Sequence, residues 1–232
     1  RDWFDAVKRG MDFYEAFFST PYPYTKYDQV IVPDFTAGAM ENVGNVTFNE
    51  KYVQRRSQTT KEKAGMYATI LHELAHMWFG NLVTMKWWNG LWLNESFATF
   101  MAYLAIERFP ELPNPWITFT GTTKQWAYWQ DELVTTHPIE VTVNDTGEAF
   151  SNFDGITYGK GASVLRQLYY TLGDDGFRKG MGIYFKTYAN QNTRIEDFLG
   201  ALAQGSGKDL RAWGDRWLRT AQMNHVEAAY TC

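Results

Sequence analysis

The stretch "ILHELAHMWFGNLVTMKWWNGLWLNES", residues 70–96, carries the pattern that decides the fold of this chain. It contains two of the chain's four histidines, His72 and His76, with Glu73 between them. On a helix this spacing places both imidazoles on one face, one turn apart. Two neutral imidazoles in that arrangement can bind one zinc ion at about 2.0–2.1 Å.

A third candidate ligand lies downstream in the same stretch. Glu95 follows His76 by 19 residues and stands near the start of the next predicted helix. If the two helices are antiparallel and joined by a turn of roughly ten residues, Glu95 lies beside the histidine pair. Two histidines and one carboxylate leave zinc an open position for water, which is typical of catalytic rather than structural sites. Glu73 would then lie close to that water.

The alternative for this stretch is a pair of core histidines with a solvated glutamate. Burying three polar groups among large aromatic residues is costly unless the groups share a partner. The stretch has such aromatic neighbours at Trp78, Phe79, Trp88 and Trp92. We therefore favour the zinc site.

Composition narrows the classes of function. The 232 residues carry a net charge of −4 without a basic stripe, so nucleic-acid binding has little electrostatic support. No apolar stretch reaches the roughly 18–20 residues of a membrane-spanning helix, and the first residues lack the apolar core of a signal peptide. The single cysteine, Cys232, excludes an internal disulfide and favours a cytoplasmic location, with an extracellular or membrane-anchored parent left open.

Hydrophobic periodicity predicts an α+β fold in which a small sheet-bearing segment precedes a mainly helical lobe. Residues 1–58 are expected to form the mixed helix and strand part, with a helix over 2–18 and strands over 27–35 and 45–53. Residues 59–232 are expected to form the helical lobe. Predicted helices there cover 60–81, 92–108, 122–133, a stretch beginning after Tyr158, 195–204 and 209–220.

Local signals fix some of these boundaries. Thr59 with Glu62, and Thr193 with Glu196, have the spacing of a capping box ahead of a helix. Gly80 and Asn81 are expected to end the first ligand helix. Asn94 is expected to cap the second one rather than to bind metal.

Five short motifs stand out along the chain: "GAMEN" at 38–42, "HELAH" at 72–76, "LWLNES" at 91–96, "THPIE" at 136–140 and "FDGITYGKGASVL" at 153–165. Together they resemble the zinc aminopeptidases of the aminopeptidase N type, gluzincins with a thermolysin-like catalytic domain. The resemblance extends from about residue 10 to about residue 220, and "GAMEN" is absent from thermolysin-type endopeptidases.

The resemblance implies roles for the metal site. It makes His72, His76 and Glu95 the ligands of one zinc ion per chain. Glu73 becomes the general base that takes a proton from a zinc-activated water, and Tyr158 the phenol that hydrogen-bonds the oxyanion of the tetrahedral intermediate.

The resemblance also implies how a peptide with a free N-terminus is held. Glu41 would bind the α-amine, as a carboxylate at fixed distance from the reacting bond can. Gly38 and Ala39 would offer backbone groups to the substrate as to an added edge strand. Met40 would line the pocket for the first side chain.

Members of this family usually carry an N-terminal β-domain and a C-terminal helical domain. Neither is present in this sequence, so residues 1–232 are expected to be a catalytic-domain fragment whose partners include the missing domains of the same parent. We expect the fragment to bind zinc but to be slow or inactive alone. The chain also departs from the family: Ala102 replaces an acidic residue that can support a histidine ligand, so that support is expected from elsewhere, such as a backbone carbonyl.

Other readings stay open at this point. They are an endopeptidase of the thermolysin kind, a related branch with epoxide hydrolase activity, and a non-catalytic receptor or scaffold. His137 is expected to be structural and His225 to have no part in catalysis. The tryptophans at 87, 88 and 92 are expected to pack between the two ligand helices.

Overall fold

The N-terminal part combines one helix with a small sheet. In the computed structural model, which describes residues 2–54, 56–223 and 227–231, the apolar spacing of the first residues forms helix α1 (Asp2–Phe18). Strands β1 (Asp28–Val32), β2 (Ala39–Met40) and β3 (Asn45–Asn49) form a sheet in the order β1-β3-β2. Strand β3 pairs parallel with β1 and antiparallel with β2, so β2 lies at an edge.

Two helices packed on each other follow the sheet. Helix α2 (Thr60–Ala75) begins at the predicted capping box, where Thr59 Oγ1 accepts from the Glu62 amide at 3.2 Å and Glu62 Oε2 accepts from the Thr59 amide at 2.8 Å. Helix α3 (Leu91–Ile106) is buried at every residue. A helix surrounded by protein on all sides has no face for water, which explains why most residues of α3 are apolar.

The remaining helices complete the helical lobe. A π-helical turn (Ile156–Lys160) precedes the longest of them, whose two parts meet at Gly173 with φ 74° and ψ 160°. The helices are α4 (Pro115–Gly121), α5 (Thr123–Asp131), α6 (Thr146–Ser151), α7 (Gly161–Tyr188), α8 (Ile195–Ser206) and α9 (Arg211–Leu218). The α+β fold, with a small sheet segment followed by a helical lobe, is confirmed.

An aromatic cluster forms the core beneath the helix pair. Phe79 stacks on Phe97 of α3 with ring centroids 4.3 Å apart. Phe18 of α1 and Phe185 of α7 meet the same cluster, with centroids 5.1 Å apart. Aromatic pairs of this kind add about 0.5–1.5 kcal/mol beyond their buried area. The cluster therefore fixes α3 relative to the elements on both sides of it.

Helix α2 ends earlier than predicted. It stops at Ala75, and the next residues continue in wider turns in which the Asn81 amide donates to the His76 carbonyl at 3.0 Å. Gly80 follows with φ 121°, a backbone conformation that favours glycine. The four-residue ladder breaks at Met77 and Trp78, whose amides donate to the Leu74 and Ala75 carbonyls, both at 3.1 Å, and the Phe79 carbonyl accepts from the His76 ring.

The expected cap at Asn94 was wrong. Asn94 lies inside α3, buried, and Gly90 occupies the cap position without a side-chain hydrogen bond. The expected capping box at Thr193 was also shifted by one residue. Arg194 precedes α8, and its amide donates to Asp197 Oδ2 at 2.8 Å, while Thr193 Oγ1 pairs with the Tyr184 hydroxyl at 2.6 Å.

The helical lobe also contains strands that sequence periodicity did not indicate. Strands β4 (Val83–Met85) and β5 (Gln191–Thr193) pair in parallel. Each has three residues, too few for an alternating pattern to be recognised. Helices α4 and α6, of seven and six residues, were missed for the same reason.

The tryptophans of the connecting segment differ from expectation. Trp87 is 46% exposed, and its indole donates to the Val143 carbonyl at 2.7 Å. The prediction that Trp87 packs between the two ligand helices was therefore wrong. Trp88 faces Phe153, with centroids 6.4 Å apart. Trp92 is fully buried and its ring neighbours include Phe198 of α8.

Within the described residues, no helix combines the length and hydropathy needed to cross a membrane. His225 and Cys232, named from the sequence, lie outside the described residues.

Candidate metal centre

Three side chains from α2 and α3 converge on one point. His76 Nε2 lies 3.0 Å from His72 Nε2. Glu95 Oε2 lies 3.2 Å from His72 Nε2 and 3.4 Å from His76 Nε2. The helix pair therefore places Glu95 beside the histidines, as the spacing of the sequence predicts.

These three separations fit a metal ion. Zinc bonds of about 2.0–2.1 Å in a tetrahedron set neighbouring ligand atoms roughly 3.3 Å apart. The observed distances of 3.0, 3.2 and 3.4 Å lie around that value. Two nitrogen donors and one carboxylate also match the ligand types that zinc binds in catalytic sites. The three side chains therefore fit a zinc ion in both spacing and chemistry.

The other ring nitrogens have partners that orient the two imidazoles. His76 Nδ1 lies 2.9 Å from the Phe79 carbonyl, which can only accept, so Nδ1 carries a proton and donates. His72 Nδ1 lies 3.3 Å from Thr99 Oγ1. A donor bond from Nδ1 leaves Nε2 as the free ligand atom. The Phe79 carbonyl supplies the support that the acidic residue absent at Ala102 would otherwise give.

The charges around the centre favour a cation. Burial would lower the pKa of His76, but the carboxylates of Glu41 and Glu95 outweigh this effect and raise it to about 10. Burial would raise the pKa of Glu95, but the histidines His76 and His72 hold it well below its ordinary range. Burial lowers the pKa of His72. The carboxylates stabilise positive charge at this point, whether a proton or a metal ion carries it.

Glu73 projects from the same helix into the interior. It is 5% exposed, and among the residues that the structure describes no donor lies within hydrogen-bonding distance of its buried Oε2. Burial raises the pKa of this carboxyl well above its ordinary value; His76 opposes the shift and Glu41 and Glu95 add to it. A buried carboxyl with an orphaned oxygen is a marker of a functional site.

Tyr158 approaches the centre from the segment that precedes α7. It lies in the π-helical turn, and its ring stacks on the His72 ring with centroids 5.9 Å apart and an interplanar angle of 18°. Burial raises the pKa of the phenol, and the Glu95 carboxylate raises it further. Tyr158 therefore stays protonated at neutral pH and is a hydrogen-bond donor.

Glu41 approaches from the sheet. It directly follows β2, and its Oε1 lies 3.8 Å from His76 Nδ1. Its backbone carbonyl accepts from Asn81 Nδ2 at 2.9 Å, which ties the end of β2 to the turn after α2. Glu41, Glu73 and His76 also lie close enough together to hold a cation.

The other predicted substrate residues lie on the edge strand. The Gly38 carbonyl accepts from the Asn49 amide at 2.9 Å, and Ala39 and Met40 pair with β3. Met40 is 42% exposed. The structure thus brings the predicted site residues into two groups, one on buried helices and one on an exposed edge.

Three residues that contact the site were not identified from the sequence: Asn81, Ser96 and Thr99. Ser96 Oγ donates to the Thr157 carbonyl at 2.5 Å, next to Tyr158. Thr99 stands four residues after Glu95, so helical spacing could have placed it on the ligand face. No sequence pattern marks Asn81, because its role depends on the wide turn after α2.

Comparisons with known proteins agree with the geometry. The Peptidase family M1 domain matches residues 3–217. "Aminopeptidase N" of Streptomyces lividans is 51% identical over 223 residues, which is 95% of this chain and 26% of that protein. "Aminopeptidase M1-D" of Oryza sativa subsp. japonica is 44% identical over 93% of this chain and 25% of its own length. "Tricorn protease-interacting factor F2" of Thermoplasma volcanium is 43% identical over 94% of this chain and 28% of its own length.

The match covers nearly all of this chain but only about a quarter of the curated relatives. The helix pair, the candidate ligand triad and the domain match agree, and the chain belongs to peptidase family M1.

Proposed function

We propose that residues 1–232 are the catalytic domain of a zinc aminopeptidase, which hydrolyses the first peptide bond of peptides with a free N-terminus. The observation that carries the proposal is the convergence of His72, His76 and Glu95 within 3.0–3.4 Å, beside the buried and unpartnered Glu73. The relatives named as aminopeptidases support the direction of cleavage.

His72, His76 and Glu95 would hold the zinc ion. Bound there, zinc would polarise the scissile carbonyl and lower the pKa of a water molecule. The Nδ1 bonds to the Phe79 carbonyl and to Thr99 keep both Nε2 atoms aimed at the same point. Ligands held in this way lose little freedom when the metal binds.

Glu73 acts as the general base. It takes a proton from the attacking water and then delivers it to the leaving amine, since one carboxyl can serve both steps in turn. Its burial favours this role, because a carboxyl removed from water exchanges protons nearer to neutral pH than an exposed one.

Tyr158 donates a hydrogen bond to the carbonyl oxygen as negative charge develops on it. A donor fixed in place where charge appears is worth about 10²–10³ in rate. The stacking of its ring on His72 places the phenol beside the metal ligands, where the scissile carbonyl must lie.

The edge strand holds the substrate. Gly38 and Ala39 stand in or next to β2, which borders the sheet and so leaves one row of backbone groups for a peptide. Glu41, directly after β2, binds the positively charged α-amine. The partly exposed Met40 contacts the first side chain of the substrate.

The experiment that tests this function uses the intact protein that contains these residues. A panel of aminoacyl fluorogenic substrates is assayed with zinc, after chelation, and after zinc is restored. We expect turnover of free-amine substrates that chelation abolishes and zinc restores. Zinc-loaded protein that cleaves no substrate of the panel would contradict the proposal.

The isolated chain is a separate test. Because it spans about a quarter of its relatives, we propose that it binds one zinc ion but turns over slowly, since other parts of the protein would complete the substrate cleft. Metal content and kcat/KM of the isolated chain are compared with those of the intact protein. Equal kcat/KM would show that residues 1–232 are sufficient.

A further inference from the structure

The turn that carries Tyr158 is capped by one buried carboxylate. Asp154 Oδ1 accepts from the amides of Ile156 and Thr157, both at 3.0 Å. The Asp154 carbonyl accepts from the Tyr158 amide, also at 3.0 Å. Asp154 thus satisfies backbone donors that the first turn of any helix leaves free.

The second oxygen of Asp154 is held by a histidine. Asp154 Oδ2 lies 2.9 Å from His137 Nε2, and His137 Nδ1 lies 2.7 Å from the Pro138 carbonyl. Both partners of the imidazole are acceptors, so both ring nitrogens carry protons and the ring is positively charged. The side chains of His137 and Asp154 are 14% and 9% exposed, so water screens the pair little.

A contact from α3 holds the same turn on its other side. Ser96 Oγ donates to the Thr157 carbonyl at 2.5 Å. A Cβ on Gly161 would lie 1.9 Å from Ser96 Oγ, so only glycine permits this close approach of the turn to α3. The turn is π-helical, and single π turns inside helices are frequent at functional sites.

We propose that Asp154, itself held by His137, is a positioning residue that fixes the Tyr158 phenol beside the metal ligands. The contacts of Asp154 are with the backbone of the turn and with His137, so it acts on Tyr158 through that backbone. A displacement of about 1 Å in a reacting group can lower the rate about 10²-fold. The inference rests on the proposed function, in which Tyr158 binds the oxyanion.

A double-mutant cycle in the intact, zinc-loaded protein tests the inference. The four proteins are wild type, Asp154→Ala, Tyr158→Phe and the double variant. Alanine removes the oxygen that accepts from the Ile156 and Thr157 amides, so in Asp154→Ala we expect kcat to fall about 10–10²-fold with KM little changed and zinc content unchanged. In the Tyr158→Phe background the same substitution should cause almost no further loss, because the group it positions is gone.

Asp145→Ala is the matched control. Asp145 caps α6, where its Oδ1 accepts from the Glu148 amide at 2.9 Å rather than from the turn that carries Tyr158. Its kcat should equal that of wild type. If Asp154→Ala does not fold, His137→Ala removes the partner of the second carboxylate oxygen, leaves the two amide bonds in place and enters the same cycle, with a smaller loss of kcat expected.

The outcomes separate the inference from the function. If wild type and Tyr158→Phe behave as proposed but Asp154→Ala has wild-type kcat, the positioning role is overturned and the aminopeptidase function stands. An equal loss with and without the Tyr158 hydroxyl also overturns it, because the effect then does not pass through the phenol. Inactive wild-type protein overturns both.

Discussion

Helix α3, which carries Glu95, is buried along its whole length. Strand β2, which ends one residue before Glu41, leaves Met40 42% exposed. The proposed metal ligands and Glu73 belong to a packed helix pair. Glu41 belongs to a two-residue edge strand anchored by pairing with β3 and by Asn81. Both groups meet at His76, whose Nε2 lies 3.4 Å from Glu95 Oε2 and whose Nδ1 lies 3.8 Å from Glu41 Oε1.

The difference separates two tasks. Groups fixed in a core keep their geometry, which favours metal binding and proton transfer. Groups on an exposed sheet edge are open to an incoming chain, which favours substrate binding. If this division holds, variants of the helix pair alter metal content or kcat, and variants of the strand alter KM.

The largest effect is expected from loss of a ligand. In Glu95→Ala the two histidines remain, but the carboxylate that completes the triad is gone, so zinc affinity should fall steeply and turnover with it. Metal analysis by mass spectrometry, together with the aminoacyl assay, checks this. Glu132→Ala, an exposed acid, is the control and should keep its zinc. A fully metallated Glu95→Ala protein would break the assignment of the third ligand.

Glu73→Gln separates the base from the metal site. The amide keeps the shape of the side chain but cannot accept a proton, so kcat should fall about 10²–10⁴-fold while zinc stays bound. Steady-state kinetics and metal content are measured on the same preparation. Retained turnover would mean that another group is the base.

Glu41→Ala tests the strand side of the comparison. Removing the carboxylate removes the partner of the substrate amine, so KM for free-amine substrates should rise about tenfold or more with a smaller change in kcat. Zinc content should stay at the wild-type level. An unchanged KM would show that the amine is bound elsewhere.

The smallest effect is expected from Ser96→Ala. The substitution leaves the buried Thr157 carbonyl without the Ser96 hydroxyl and should lower the free energy of unfolding by about 1–3 kcal/mol. It should lower kcat a fewfold and leave KM unchanged, because Ser96 belongs to the helix pair and not to the substrate-binding strand. Urea unfolding and kinetics check both. A change confined to KM would contradict the division of tasks.

The sequence predicted much of this arrangement because its signals are local. The four-residue spacing of His72 and His76 needs only a helix to become a shared face, and the capping box at Thr59 fixed where that helix begins. The approach of Glu95 followed from two antiparallel helices. The α+β order of sheet segment and helical lobe followed from periodicity.

What the sequence did not predict depends on long-range contacts. The turns that follow the early end of α2 at Ala75 bring the Phe79 carbonyl to His76 Nδ1, a contact that no local pattern in the sequence indicates. Asn94 has the chemistry of a cap but lies in the core of α3. The support of Tyr158 by Asp154 joins residues of a loop and a π-helical turn, for which no periodic pattern exists.

The central claim is that the buried triad and Glu41 together make an aminopeptidase rather than an endopeptidase. The most direct test is the kcat/KM of the intact protein for one peptide with a free amine and for its N-acetylated twin. The account expects the free amine to be preferred about 10²-fold or more, because acetylation removes the charge that Glu41 binds. Equal values for the two peptides would contradict it.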